Sequence, residues 1–369
     1  MTLLTFISNF AQISVKALKI FKQRIHAKTS MNKAVFYILG LLFFGALLST
    51  GCKKSSGTPQ PDDAPTQFQL ADDDARVQFE ANAAADDANA ALSGDITLNG
   101  GRKTAALANT GHLSNLVVGA DSIVYDSSNQ TVIIYYDGTT AYNGRIRSGS
   151  LSVKLTNGAN WAALGATITL TFNNYKSLRI KDNSPLLING QKIITNFTGG
   201  LVSNLAASNQ DSVIHLILSV PGDSTYGNGL SITFYEDSIP TTVAWYTWRT
   251  RTIKYVKSIT IGSVTVREYQ YADSGGYKVF DNLILWWGTN RIQQPFFDIV
   301  PNPILYNQSI TMAGPISGQL SIHGISAGLT ITYGVYQNGS AVTSPAIPYG
   351  YELSWTDLNN NSRNIVEPY

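Results

Sequence analysis

The sequence predicts a mainly β protein: an antiparallel β-sandwich-type body, as one extended unit or two modules, preceded by one α-helix. Three observations carry this prediction. After Asp95, apolar and polar residues alternate with a period of two, the pattern of strands covered on one face. Charged residues make up only 14% of the 369 residues, against about 25% in an average soluble chain. The chain also holds 31 Gly, 19 Tyr and 6 Trp; aromatic residues favour pleated surfaces, and Gly supplies turns. The length allows about two domains.

Residues 1–51 read as a leader. They hold six basic residues and no acid. Ala34–Leu48 is a run of fifteen uncharged residues behind Lys33, shorter than the about 20 needed to span a membrane and suited to a secretory signal. Leu47-Leu48-Ser49-Thr50-Gly51-Cys52 follows. Small residues before a Cys resemble the lipobox of bacterial lipoproteins, which implies acylation of Cys52 and a membrane partner through that anchor. Ser49 stands where the lipobox usually has Leu, with Leu48 beside it. Met31 begins a complete signal by itself and is an alternative start to Met1. A buried-thiol role for Cys52 fits poorly, because the polar Lys53–Pro59 stretch follows at once. The expected location is the cell envelope, as an outer-membrane lipoprotein, with the surface and periplasmic faces both open. Without the leader the chain has 20 basic and 24 acidic residues, a net of −4, which argues against a nucleic-acid partner.

Residues 52–66 read as a flexible tether, with Pro59, Pro61 and Pro65 among polar residues. Residues 67–93 read as the helix: Gln67–Leu92 is Ala-rich, lacks Gly and Pro, and ends at Ser93-Gly94. Phe68, Ala71, Ala75, Phe79 and Ala83 form its narrow apolar stripe. Asp72, Asp73 and Asp74 lack the spacing of an EF-hand calcium loop and read as a solvated face.

Residues 95–369 read as the β-rich body, with a candidate internal boundary near 236–242. Ala166–Phe172 alternates cleanly. Val132–Tyr136 and Val213–Leu218 are nearly continuous apolar runs, suited to strands buried on both faces. Asn189-Gly190 and Asn338-Gly339 are two-residue hairpin signals. Arg147–Val153 is echoed by Ile316–Ile322, which is compatible with two related modules and with chance similarity of Ser/Gly-rich turns.

Several blocks resemble, in order, an uncharacterised family of Bacteroidota lipoproteins, over nearly the whole mature chain. They are Thr131–Gly138, Asn143-Gly144-Arg145-Ile146-Arg147-Ser148-Gly149, Gly165–Tyr175, Trp248-Arg249-Thr250-Arg251, Gly288-Thr289-Asn290-Arg291, Gly314–Gly318 and Thr330–Gly334. Two departures stand out. The Cys residues frequent in that family near the last two blocks are missing, and Val335 stands where an Asp-Gly usually follows. The resemblance implies envelope location and a helix followed by a β body. It implies no chemistry.

No Gly-x-Ser-x-Gly, phosphate-loop or His-Glu-x-x-His pattern is present. The single Cys and the isolated His112, His215 and His323 supply no metal-ligand spacing; no cofactor or metal is expected. Glu236, Glu268, Asp273, Asp298 and Glu352 are carboxylates whose pairing sequence leaves open. A polysaccharide hydrolase would need two of Glu236, Asp273, Asp298 and Glu352 in one cleft. The aromatic clusters are more informative. Trp245 and Trp248 flank Tyr246, and Trp286-Trp287 follows later. In a strand, Trp245 shares a face with Thr247, Arg249 and Arg251, while Tyr246 and Trp248 share the other. Trp245, Trp248, Trp286 and Trp287 are therefore candidate ligand-binding residues, weighed against core packing. The expected function is non-enzymatic: binding or structural, with polysaccharide or another envelope component as ligand or partner. The alternatives are the hydrolase and a purely structural or assembly role.

Overall fold

The structure, a computed structural model, describes residues 64–94 and, with short interruptions, 117–368. The leader, Cys52 and most of the tether lie outside the described residues. Residues 62–369 form one compact unit. Among the described residues it contains a helix α1 (Ala64–Gly94) followed by sixteen strands. These are β1 (Ser122–Asp126), β2 (Thr131–Tyr142), β3 (Arg145–Asn157), β4 (Ala166–Arg179), β5 (Ser184–Asn196), β6 (Val213–Ser219), β7 (Gly229–Phe234) and β8 (Thr241–Ile261). The series continues with β9 (Val264–Gly275), β10 (Tyr277–Val279), β11 (Asn282–Thr289), β12 (Pro295–Asn307), β13 (Ser317–His323), β14 (Leu329–Val335), β15 (Gly350–Thr356) and β16 (Ser362–Pro368).

The body is mainly β and antiparallel, with the helix preceding it, as the alternation requires. All sixteen strands belong to one sheet, in the order β1-β2-β3-β4-β5-β6-β8-β11-β12-β13-β14-β15-β16, with β7, β9 and β10 paired at its sides. Part of the candidate boundary near 236–242 lies outside the described residues; β7 before it and β8 pair directly, Leu230 opposite Trp245.

The sheet curls around α1. The helix meets β1 through Tyr125, β2 through Tyr136, β4 through Tyr175 and Ser177, β8 through Arg249, and β15 through the Phe68–Trp355 ring contact. From Phe68 to Gly94 only Gln69 is exposed. The expected helix face is not the one most buried. Of its stripe, Ala71 is buried and Phe68, Ala75, Phe79 and Ala83 are half-buried, while Asp73, Asp74, Arg76, Gln78, Glu80 and Asn82 are buried. Asp72, Asp73 and Asp74 are thus not a solvated face; Asp72 is bound by Arg179 and Asp73 by Arg291. The reason is the inner lining of the sheet, which offers arginines as well as apolar side chains. Buried charges persist only when paired and hydrogen-bonded.

Two further expectations are corrected. Asn189-Gly190 does not close a hairpin; β5 runs straight through it. At this point β5 changes neighbour, pairing with β7 up to Gly190 and with β6 from Ile193. Gly190 has φ +114°, and a Cβ there would lie 2.4 Å from the Gly229 carbonyl oxygen, so the glycine serves a close strand crossing. Second, Val132–Tyr136 is not covered on both faces, whereas Val213–Leu218 has no exposed residue and buries the neighbours Ile217 and Leu218 together. Tyr135 is exposed, while Val132, Ile134 and Tyr136 face inward. The curled sheet has its helix on the inside, and among the described residues no second layer covers Tyr135 outside.

Candidate functional site

Alternation along β8 decides which aromatics can meet a ligand. Trp245, Thr247, Arg249 and Arg251 point inward and are buried. Trp286 of β11 joins them. Both Trp245 and Trp286 are 0% exposed, with ring centroids 6.4 Å apart. Trp245 packs on Phe296 and donates its indole N–H to the Thr289 carbonyl at 3.1 Å. Both of these candidate ligand-binding residues lie in the hydrophobic core.

Trp248 and Trp287 lie on the outer face, half-buried, together with Tyr246. Tyr246 pairs across strands with Trp287, Trp287 with Phe297 of β12, and Phe297 with His323 of β13. Tyr246, Trp287, Phe297 and His323 therefore form one row of rings across four neighbouring strands. The Tyr246 and Trp287 centroids are 5.8 Å apart, and Phe297 and His323 stack at 5.2 Å with planes 14° apart. Trp248 stands two residues along β8 from the start of the row. Two of the outer-face rings are seated on glycines, Tyr246 on Gly229 of β7 and Trp248 on Gly276 between β9 and β10. A Cβ on Gly229 would lie 2.4 Å from the Tyr246 ring, and one on Gly276 the same distance from the Trp248 ring. The absence of these side chains lets each ring approach the backbone. Sequence reading reached Trp248, Trp287 and Tyr246 but missed Phe297 and His323. Their membership follows from long-range register; the only local signal is their apolar inward neighbours, Phe296 and Ile322.

The inner face is chemically different. Arg145 binds Glu80 at 2.6 Å, Arg147 binds Asp87 at 2.6 Å, Arg249 donates to Asn82 at 2.5 Å, and Arg251 approaches Asp86 at 3.7 Å. Arg179 and Arg291 clamp Asp72 and Asp73. The Arg145/Arg147, Arg249/Arg251 and Arg291 blocks that stand out in the sequence thus all grip α1. Burial pushes the Asp273 carboxyl upward, but Arg249 and Arg251, both hydrogen-bonded to it, pull it below the ordinary carboxylate value. Lys192 is 0% exposed, above the Trp286 ring at 4.7 Å. Burial, reinforced by Arg249 and Arg251, holds its amine well below the usual lysine value. Buried Asp298 faces Asp74. Burial pushes both upward, Asp74 to about 6, and Asp74 raises Asp298 further.

Among the described residues, the carboxylates considered for hydrolysis are divided between the two faces of the sheet. Asp273 and Asp298 are buried on the inner face, and Glu352 is on the outer face of β15; Glu236 lies outside the described residues, as does the side chain of Glu268. His215 is buried beside Trp161 at 5.3 Å, and burial pushes it down to about 3, which keeps it neutral. Among the described residues no group of three or more His, Cys, Asp or Glu is placed to hold a metal ion. No family model, curated protein or solved structure matches the chain.

Proposed function

We propose that the chain is a lipid-anchored cell-envelope protein that binds polysaccharide on the outer face of β8, β11, β12 and β13. The observation that carries this reading is the ring row Tyr246–Trp287–Phe297–His323, with Trp248 beside it. The face of an aromatic ring carries partial negative charge, which complements the slightly positive C–H bonds of a pyranose ring. A row on one sheet face suits an extended chain rather than a small enclosed ligand. No charged side chain belongs to the row, which favours a neutral glycan over an acidic one. The anchor at Cys52 puts such a face within reach of the envelope's own polymers.

A glycan array probed with residues 62–369 tests this. Binding to neutral glycans, weakened in W248A and W287A, supports the proposal. Retention of no glycan removes the carbohydrate reading and leaves a structural or assembly role. Release of shortened products from a polysaccharide panel moves the case to a hydrolase.

A further inference from the structure

The Asn338-Gly339 turn has a use beyond reversing the chain. It follows β14, closed by the Gly339 N–H to the Tyr336 carbonyl at 2.9 Å and the Tyr336 N–H to the Ser340 carbonyl at 2.8 Å. Instead of leading directly into β15, it leans over the outer face of β15 and β16. A Cβ on Gly339 would find Val366 at 3.5 Å and Glu352 at 3.7 Å. The turn and the two strands enclose an open groove of about 480 Å³, whose polar lining is Gln337, Asn338, Glu352 and Asn364. Tyr349 and Ile365, 39% and 37% exposed, supply its apolar surface.

We infer that this groove is a second saccharide-binding subsite, taking the hydroxyl-rich edge of a neutral sugar; the inference deepens the glycan reading above. One carboxylate and three amides make up the polar set. The Glu352 Oε1 accepts from the Asn364 amide at 2.8 Å, which fixes the carboxylate and turns Oε2 toward the Gly339 side. Asn338 is held in turn, its Oδ1 accepting from the Ser340 N–H at 3.1 Å and hydroxyl at 2.7 Å. That orients its NH₂ as a donor. A fixed carboxylate acceptor with fixed amide donors matches vicinal hydroxyls, each of which donates one hydrogen bond and accepts others. Tyr349 offers a ring surface in the same groove. A single carboxylate without further acidic partners does not make a site for a divalent cation, which takes several oxygen ligands.

The groove and the ring row are on the same face. Asn302, Gln319, Thr332 and Glu352 are paired in order across β12, β13, β14 and β15. Gln319 donates to Thr332 at 3.3 Å. His323 of the ring row is four residues from Gln319 on β13, and Glu352 is two strands further. On ordinary strand spacings the row's end and the groove are about 17 Å apart. One glycan chain of several sugars can therefore lie on the rings and hold its polar edge in the groove.

The test is side-chain amide and indole NMR on residues 62–369, titrated with a neutral hexose disaccharide and then with a hexasaccharide of the same sugar. The expected result is that the disaccharide shifts the amide resonances of Gln337, Asn338 and Asn364. E352A should weaken this binding about tenfold or more, since a charge-assisted hydrogen bond is lost, and E352Q, which keeps an acceptor in place, should lose less. Tm of both variants checks folding. Shifts at the Trp248 and Trp287 indoles alone, with E352A binding as wild type, overturn the groove and leave the ring row standing. Shifts in the groove alone sustain it and remove the row. Shifts at neither site overturn both.

Discussion

Asp73 of α1 and Arg291, in the turn after β11, form a two-point ion pair between buried side chains 218 residues apart in the chain. Its partners come from the helix and from the sheet that encloses it. The same arrangement recurs at Glu80, Asp86 and Asp87. Such pairs contribute modest net stability when intact, because desolvation offsets most of the attraction, but losing one partner leaves an uncompensated charge inside.

Arg249→Ala should therefore be severely destabilising. Arg249 is 0% exposed and holds both Asn82 of α1 and Asp273 of β9. Breaking a buried pair costs about 3–5 kcal/mol. Urea denaturation of the variant should show this loss; a midpoint near wild type would mean that the helix is held by packing alone.

Lys192→Met should behave in the opposite way. The amine has a long hydrogen bond, 3.5 Å to the Ala81 carbonyl, and lies near two arginines whose repulsion outweighs the attraction of Asp273. An apolar chain of similar length on the Trp286 ring removes the burial penalty of a polar group. Thermal denaturation should give a Tm equal to or above wild type, and a marked fall would contradict the reading of Lys192 as poorly compensated.

The Asp74–Asp298 pair predicts a pH dependence with a definite sign. Burial raises Asp74 from 3.8 to about 6, so the folded state holds a proton that the unfolded chain releases. The associated stability is complete below about pH 4 and is lost as pH rises through about 6. Asp298, pushed well above the ordinary value by burial and then by Asp74, holds a second such proton; Asp298→Asn removes it, leaves Asp74 still raised by its own burial, and should flatten the slope. Tm measured from about pH 5 to about pH 7.5 in both proteins checks this; parallel slopes would contradict it.

Cys52→Ala should release the protein from membranes. A lipid anchor holds by burying acyl methylenes at about 0.8 kcal/mol each. Fractionation with mass spectrometry decides: a variant that stays with membranes, at a mass unchanged apart from the substitution, refutes lipid attachment.

Legibility in the sequence followed the range of each signal. The period of two named the strands and the split of Trp245 from Tyr246, because alternation is local. Helix α1 was visible from Ala content, yet its orientation was not. Its apolar stripe is weak, and the groups that Asp73 and Asp74 meet on the sheet, Arg291 and Asp298, are more than 200 residues on. Arg145/Arg147 and Arg249/Arg251, spaced by two within strands, carried the missing hint: both members of each pair share a face, and a buried face holding two arginines needs acids opposite. Asn189-Gly190 misled because a glycine at positive φ serves a strand crossing as well as a turn. The ring row was half legible, since Trp248 and Trp287 stand out while Phe297 and His323 depend on register.

The central claim is that the outer rings bind glycan and the inner ones hold the core, and Trp287→Ala tests it most directly. Isothermal titration with the best array ligand should show Kd rising about two- to twelve-fold, from about 0.5–1.5 kcal/mol of lost ring contact, with the fold intact by circular dichroism. Unaltered affinity in Trp287→Ala with the fold intact would contradict the claim.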